Sequence, residues 1–118
     1  MFSFNMNGKF LGTLSLNITC PGQQLSFWGT TRELGAKDLC LAVPTTRIRT
    51  TFSQFLNENV TITCENVILE GCVSWYTIEG DYYLIGISIG KAHRSAWKSL
   101  LSEKSKVSLR AEVHHVSP

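Results

Sequence analysis

Val67-Ile68-Leu69-Glu70-Gly71-Cys72-Val73-Ser74-Trp75-Tyr76-Thr77-Ile78, followed by Glu79-Gly80-Asp81 and then Tyr82-Tyr83-Leu84-Ile85-Gly86-Ile87-Ser88-Ile89, is the stretch that decides the fold. Both arms are rich in β-branched and aromatic residues, and Tyr83, Ile85, Ile87 and Ile89 recur at period two along one face. The Glu-Gly-Asp turn between them makes the pair a long antiparallel hairpin. Gly71, in the middle of the first arm, is the expected place for a bulge or a sharp bend.

Upstream, Val60, Ile62 and Cys64 alternate with Thr61, Thr63 and Glu65 as a third strand of the same kind. Leu39-Cys40-Leu41-Ala42-Val43, ending at Pro44, is apolar on both faces and suits a strand covered on both sides. Leu14, Leu16, Ile18 and Cys20 alternate with Ser15, Asn17 and Thr19; Pro21-Gly22 then turns the chain back through Leu25 to Thr31 as a further hairpin. Two irregular stretches remain, a polar one at 32–38 and a longer one at 45–59 that holds Arg47, Arg49, Phe52 and Phe55. Downstream the period changes: Ala92, Ala96, Trp97, Leu100 and Leu101 form a helical stripe through Glu103, with Lys91, Arg94 and Lys98 on the opposite side. Val107, Leu109, Ala111 and Val113 then alternate again, predicting an extra strand that pairs with the barrel edge or with a second chain. Six strands at this spacing, with turn signals between them, predict a mainly β fold: a six-stranded antiparallel barrel or sandwich with one C-terminal helix as its lid. An immunoglobulin-like sandwich with Cys20 and Cys72 bridged is the other fold in view, with one point against it: Ile85 stands where a cysteine should follow the corner tyrosine.

With 118 residues, 43% hydrophobic and 17% charged, the chain has the composition of one globular domain. The barrel and helix take residues 1–103 and a tail takes 104–118. No apolar run approaches the roughly 20 residues of a membrane helix, and the first residues lack the basic-then-apolar pattern of a secretory leader, so the expected location is the cytoplasm. The four cysteines contain no CxxC pair and have no histidine nearby in sequence; they are expected as buried free thiols, with no metal. The formal charge of +2 conceals a split, since residues 1–90 hold five Lys/Arg against seven Asp/Glu and residues 91–118 hold six against two.

Taken together, Phe27-Trp28-Gly29-Thr30-Thr31-Arg32-Glu33-Leu34, Leu39 to Pro44, Val67 to Trp75 and Tyr83 to Ile89 resemble the PilZ family of bacterial regulatory domains, over about residues 9–103. That resemblance implies a split barrel that binds cyclic di-GMP through an RxxxR motif and a D/NxSxxG motif, in which arginine forks clamp phosphates and stack on guanine. Here Asn5-Met6-Asn7-Gly8-Lys9 stands where RxxxR should lie, and Glu33-Leu34-Gly35-Ala36-Lys37-Asp38 where D/NxSxxG should lie. Two missing arginines remove contacts worth about 1.5–3 kcal/mol each, and Asp38 would repel phosphates. The expectation is weak or absent cyclic di-GMP binding. Any that remained would draw on Lys9, Arg32, Glu33, Gly35, Lys37, Asp38, Arg47 and Arg49.

No pattern joins a nucleophile to a base: His93 opens the helix and His114-His115 lie in the tail, so no enzyme activity and no cofactor are expected. A small nucleic-acid-binding barrel would need the basic helix together with Trp28, Trp75, Tyr76 and Tyr82 as stacking surfaces, but these aromatics alternate with core positions and read as packing residues. The sequence therefore predicts a regulatory or interaction module. Its partner is a protein or another domain of a larger chain, contacted through Lys91, Arg94 and Lys98, and the tail strand could form a homodimer.

Overall fold

The computed structural model describes residues 3–4, 10–11, 13–23, 25–48 and 51–104. Lys9, Arg49, the predicted tail strand and His114-His115 lie outside the described residues. The described residues form eight strands: β1 (Ser3–Phe4), β2 (Phe10–Leu11), β3 (Ser15–Cys20), β4 (Leu25–Leu34), β5 (Asp38–Pro44), β6 (Asn59–Cys64), β7 (Val67–Glu79) and β8 (Tyr82–Ile89). A 3-10 turn, Lys91–His93, leads into helix α1 over 94–104.

Antiparallel pairing runs β3-β6-β7-β8-β5-β4 and returns from β4 to β3, closing the six expected strands into a barrel. The short β1–β2 hairpin is an addition that the period-two pattern did not announce; it joins where Phe10 pairs with Leu34 at the end of β4. Closure explains the alternation, because each strand turns one face to a common interior. Leu16, Ile18, Leu41, Ile62, Ile85 and Ile87 are fully enclosed there, each contributing about 1.5–3 kcal/mol by leaving water. Thr31 is the one buried polar side chain among the described residues, and its hydroxyl accepts the Leu14 amide at 2.8 Å.

Trp97, Leu100 and Leu101 of α1 join the core beside the β4–β5 hairpin, so the helix is the expected lid. Near the other end of β4, Phe27 meets a plug of aromatic rings in which Phe52 lies 4.9 Å from Phe55, 4.9 Å from Tyr76 and 5.1 Å from Tyr83. Much of the 45–59 stretch is thus barrel filling, held in two 3-10 turns at Thr45–Arg47 and Phe52–Phe55. The 32–38 segment is a tight hairpin, since β4 continues to Leu34 and β5 starts at Asp38.

Two expectations need correction. Gly71 carries no bulge: it pairs in register with Val60 and Ile89, and a Cβ there would come within 2.6 Å of the Ser88 carbonyl oxygen, so close strand approach explains the glycine. Ala92 of the 3-10 turn and Ala96 of α1 are exposed, whereas Arg94 is half-buried. Positions 94, 97 and 101 fall on one helical face, which moves Arg94 to the side of Trp97 and leaves Lys91 and Lys98 outside. Among the described residues no helix is long and apolar enough to cross a membrane.

Candidate functional site

Two register slips interrupt the barrel wall, one between Thr31 and Glu33 in β4 and one between Val73 and Trp75 in β7. In β4, Phe27, Gly29 and Thr31 face inward, Arg32 and Glu33 are both exposed, and inward packing resumes at Leu34. In β7, Leu69, Gly71 and Val73 face inward, and Ser74 and Trp75 are both exposed. Unbroken alternation would have sent Trp75 into the core, so the bulge is what turns it outward. Both slips deliver their side chains to the same row of the outer wall, because Glu33 pairs with Cys40, Cys40 with Gly86, and Gly86 with Trp75.

Between the two large side chains the wall is low, and a hollow of about 340 Å3 forms over it. Its rim carries Glu33, Asp38, Ser74, Trp75 and Ser88. The five-membered ring of the Trp75 indole sits directly over Gly86, where a Cβ would come within 2.0 Å of Nε1. The indole nevertheless stays 46% exposed, so it is a wall of the hollow and a surface at once. Asp38 Oδ1 occupies the space above Gly35 that a Cβ would fill, at 2.6 Å. The hairpin beneath it is pinned three ways: the Gly35 amide donates to the Asp38 carbonyl at 2.8 Å, the Ile89 amide donates to the Lys37 carbonyl at 2.8 Å, and buried Trp97 Nε1 donates to the Gly35 carbonyl at 2.8 Å. Across the hollow, the Ser74 and Ser88 hydroxyls share a hydrogen bond of 2.7 Å.

The hollow is acidic. Glu33 and Asp38 are its only charged lining residues among those described. Arg32 reaches past it to Glu79, 3.7 Å away, an exposed pair that contributes about 0–1 kcal/mol. Burial, and after it the Glu33 charge, pushes the Cys40 thiol up, so this sulfur stays protonated and is a poor nucleophile.

A second hollow, of about 500 Å3, opens on the same wall where β8 passes into α1. Lys91, His93, Arg94, Glu70, Cys72 and Asn59 line it, and Ser88 belongs to both hollows. Arg94 Nε donates to the Ile89 carbonyl at 3.3 Å, and His93 Nε2 lies 3.7 Å from Glu70 Oε2.

Of the eight residues the sequence nominated for a dinucleotide, Glu33, Gly35 and Asp38 converge on the first hollow. The basic ones among the described residues do not: Arg32 pairs with Glu79, and Lys37 is exposed at the hairpin turn. Arg47 lies with its guanidinium 3.3 Å from the Trp28 ring centroid and donates through Nη1 to the Trp28 carbonyl at 3.1 Å. Of the three helix cations, Lys91 and Arg94 line the second hollow and Lys98 stands apart. The sequence reading missed Gly86, Ser74 and Ser88, and it took Trp75 with the other outer aromatics for packing residues. Trp28, Trp75 and Tyr82 are 49%, 46% and 42% exposed, so only Tyr76 of the four packs inward. A signal was present in the adjacent pair Ser74-Trp75, where a polar residue and a large aromatic break the alternation set by Leu69, Gly71 and Val73.

Cys20, Cys40 and Cys64 are buried, as expected of them, and Cys72 is half-buried. Among the described residues no group of three or more His, Cys, Asp or Glu could hold a metal ion. Comparison with protein-family models, with curated proteins and with solved structures finds no match.

Proposed function

We propose that this chain is a non-enzymatic interaction domain of the PilZ type, belonging to bacterial cyclic di-GMP signalling, that recognises a protein partner on its outer wall in place of clamping the dinucleotide. The observation that carries this reading is the hollow beside the β4–β5 hairpin, where Glu33 and Asp38 face Trp75. A dinucleotide clamp needs positive charge at its phosphates. A like-charge pair near a protein surface at 4 Å costs about 4 kcal/mol, which is larger than what one arginine contact would return. The half-exposed Trp75, Trp28 and Tyr82 support a protein partner, since large aromatics with one wet face are enriched in interface anchors. Such a module would work in the cytoplasm, where its free thiols stay reduced.

Calorimetric titration of the full chain with cyclic di-GMP tests the reading. No heat of binding is expected at ligand concentrations up to about 1 mM, the range in which affinity falls near 4 kcal/mol. A dissociation constant in the micromolar range or tighter overturns it, and favours a receptor built on substitute basic residues.

A further inference from the structure

The two hollows share Ser88, lie on one outer wall, and differ in the sign of their net charge: Glu33 and Asp38 stand beside Trp75 in the first, while in the second Lys91 and Arg94 outweigh Glu70, whose carboxylate lies 3.7 Å from His93. We infer that they form one groove for an extended segment of a partner protein, with a lysine or arginine side chain of that segment beside Trp75 and an aspartate or glutamate against Lys91 and Arg94. This inference rests on the reading of the domain as a protein-interaction module and adds the chemistry of the partner.

Three features of the groove define that chemistry. In the first hollow, an exposed indole face and two carboxylates offer a cation both ring attraction and charge, and the guanidinium 3.3 Å above Trp28 is this chain's own example of a cation on an exposed indole. In the second, Lys91 is exposed and Arg94 is held in place by its bond to the Ile89 carbonyl, so one cation can adjust while the other is fixed. Between them the Ser74 and Ser88 hydroxyls supply polar groups for a passing peptide backbone.

Register sets the spacing. Gly86, under the indole, and Gly90, at the edge of the second hollow, are four residues apart on one chain, or about 13 Å for a strand. An extended peptide covers about 13 Å in four residues, so the basic and acidic side chains of the partner stand about three to five positions apart. Every barrel strand under the groove is already paired on both edges, so strand addition is not available there and recognition falls to side chains.

A random twelve-residue peptide library displayed on phage, panned against the full chain, supplies the probes, and the enriched peptides are measured by fluorescence anisotropy. The enriched sequences are expected to share a basic residue three to five positions from an acidic one. Binding is expected to weaken at least about tenfold in E33Q/D38N, in W75A and in K91E. E33Q/D38N and K91E alter exposed side chains and should leave the melting temperature unchanged, whereas W75A forfeits the half-buried seat of the indole on Gly86 and lowers it; an unchanged far-UV spectrum in all three would verify that the barrel is retained. Enriched peptides without such a pair overturn the groove, as does binding indifferent to K91E or to E33Q/D38N. Self-association of the chain lost in the same variants would make a second copy the occupant and overturn the proposal too. Failure of the peptides with cyclic di-GMP also silent would sink the groove alone, whereas cyclic di-GMP binding would sink the functional reading beneath it.

Discussion

Replacing Trp97 with phenylalanine tests the joint between the helix and the hairpin that presents Asp38. Trp97 is fully buried, and its Nε1 donates to the Gly35 carbonyl at 2.8 Å. Phenylalanine retains an aromatic filler but removes the donor and part of the ring system. The orphaned carbonyl costs about 1–3 kcal/mol. The lost ring atoms, at about 0.8 kcal/mol for each methylene-sized group, add about 1–2 kcal/mol. A destabilisation of about 3 kcal/mol follows, which for a domain of this length lowers the melting temperature by about 10–15 °C. Urea titration followed by far-UV circular dichroism measures it without relying on the fluorophore that was changed. Native-state amide exchange locates it: the Gly35 and Ile89 amides, which donate to the Asp38 and Lys37 carbonyls, should gain more than the amides of β3. Lys98→Ala, on the exposed side of the same helix, should stay within about 0.5 kcal/mol. A loss below about 1 kcal/mol, or exchange that rises equally in β3 and the hairpin, would refute the idea that this bond ties the helix to the site.

Gly86→Ala should lift the Trp75 indole off the wall, because the added Cβ meets Nε1 at 2.0 Å. Roughly 100 Å2 of ring burial is lost, about 2.5 kcal/mol, against a gain of about 0.5–1 kcal/mol from alanine's stiffer backbone, so a net loss near 1.5–2 kcal/mol is expected with a red-shifted tryptophan emission; unchanged emission would mean that the indole is not seated there. Alkylation of the native chain near pH 8 should label Cys72 first and reach Cys20, Cys40 and Cys64 only on unfolding, so mass spectrometry showing equal labelling of all four would contradict their burial. Burial, with Glu58 second, pushes the Cys20 thiol from 9.0 to about 11, so the unfolded chain releases this proton first as pH rises. Its contribution to stability is whole below pH 9.0 and is lost between there and about pH 11, which urea titrations at pH 8 and pH 11 on the wild type and Cys20→Ser would expose as a difference in slope with pH.

Period two was enough to find most of the six barrel strands, because a closed barrel buries one face of every strand; Leu39 to Val43, buried at every position, showed itself by its unbroken apolar run instead. The rule of alternation hid the bulges. A bulge adds a residue without changing composition, and Gly71, the residue that looked like one, is there because the Ser88 carbonyl leaves no room for a side chain. Reading parity straight through β7 sends Trp75 to the core; only the slip between Val73 and Trp75 turns it out. Its partners in the hollow were out of reach for a different reason. Glu33, Cys40, Gly86 and Trp75 come from four strands, and the row that joins them depends on how the barrel is sheared when it closes, a quantity no single strand carries.

The division of charge along the chain takes on a spatial meaning in the same way. An acidic stretch to residue 90 followed by a basic one reads, in sequence alone, as a barrel joined to a basic appendage. The fold removes that separation. Because β8 runs directly into the 3-10 turn Lys91–His93, the first basic residues of the terminal segment stand a few positions beyond Gly86, while Glu33 and Asp38 are brought beside Gly86 by the pairing of β4 with β5 and of β5 with β8. Charges far apart in the chain thereby face the two ends of one stretch of β8. Ser88 is common to the acidic hollow and to the one where Lys91 and Arg94 outweigh Glu70, on the wall where Trp75 is exposed, so the polarity that survives closure is local to the groove and has a direction along it.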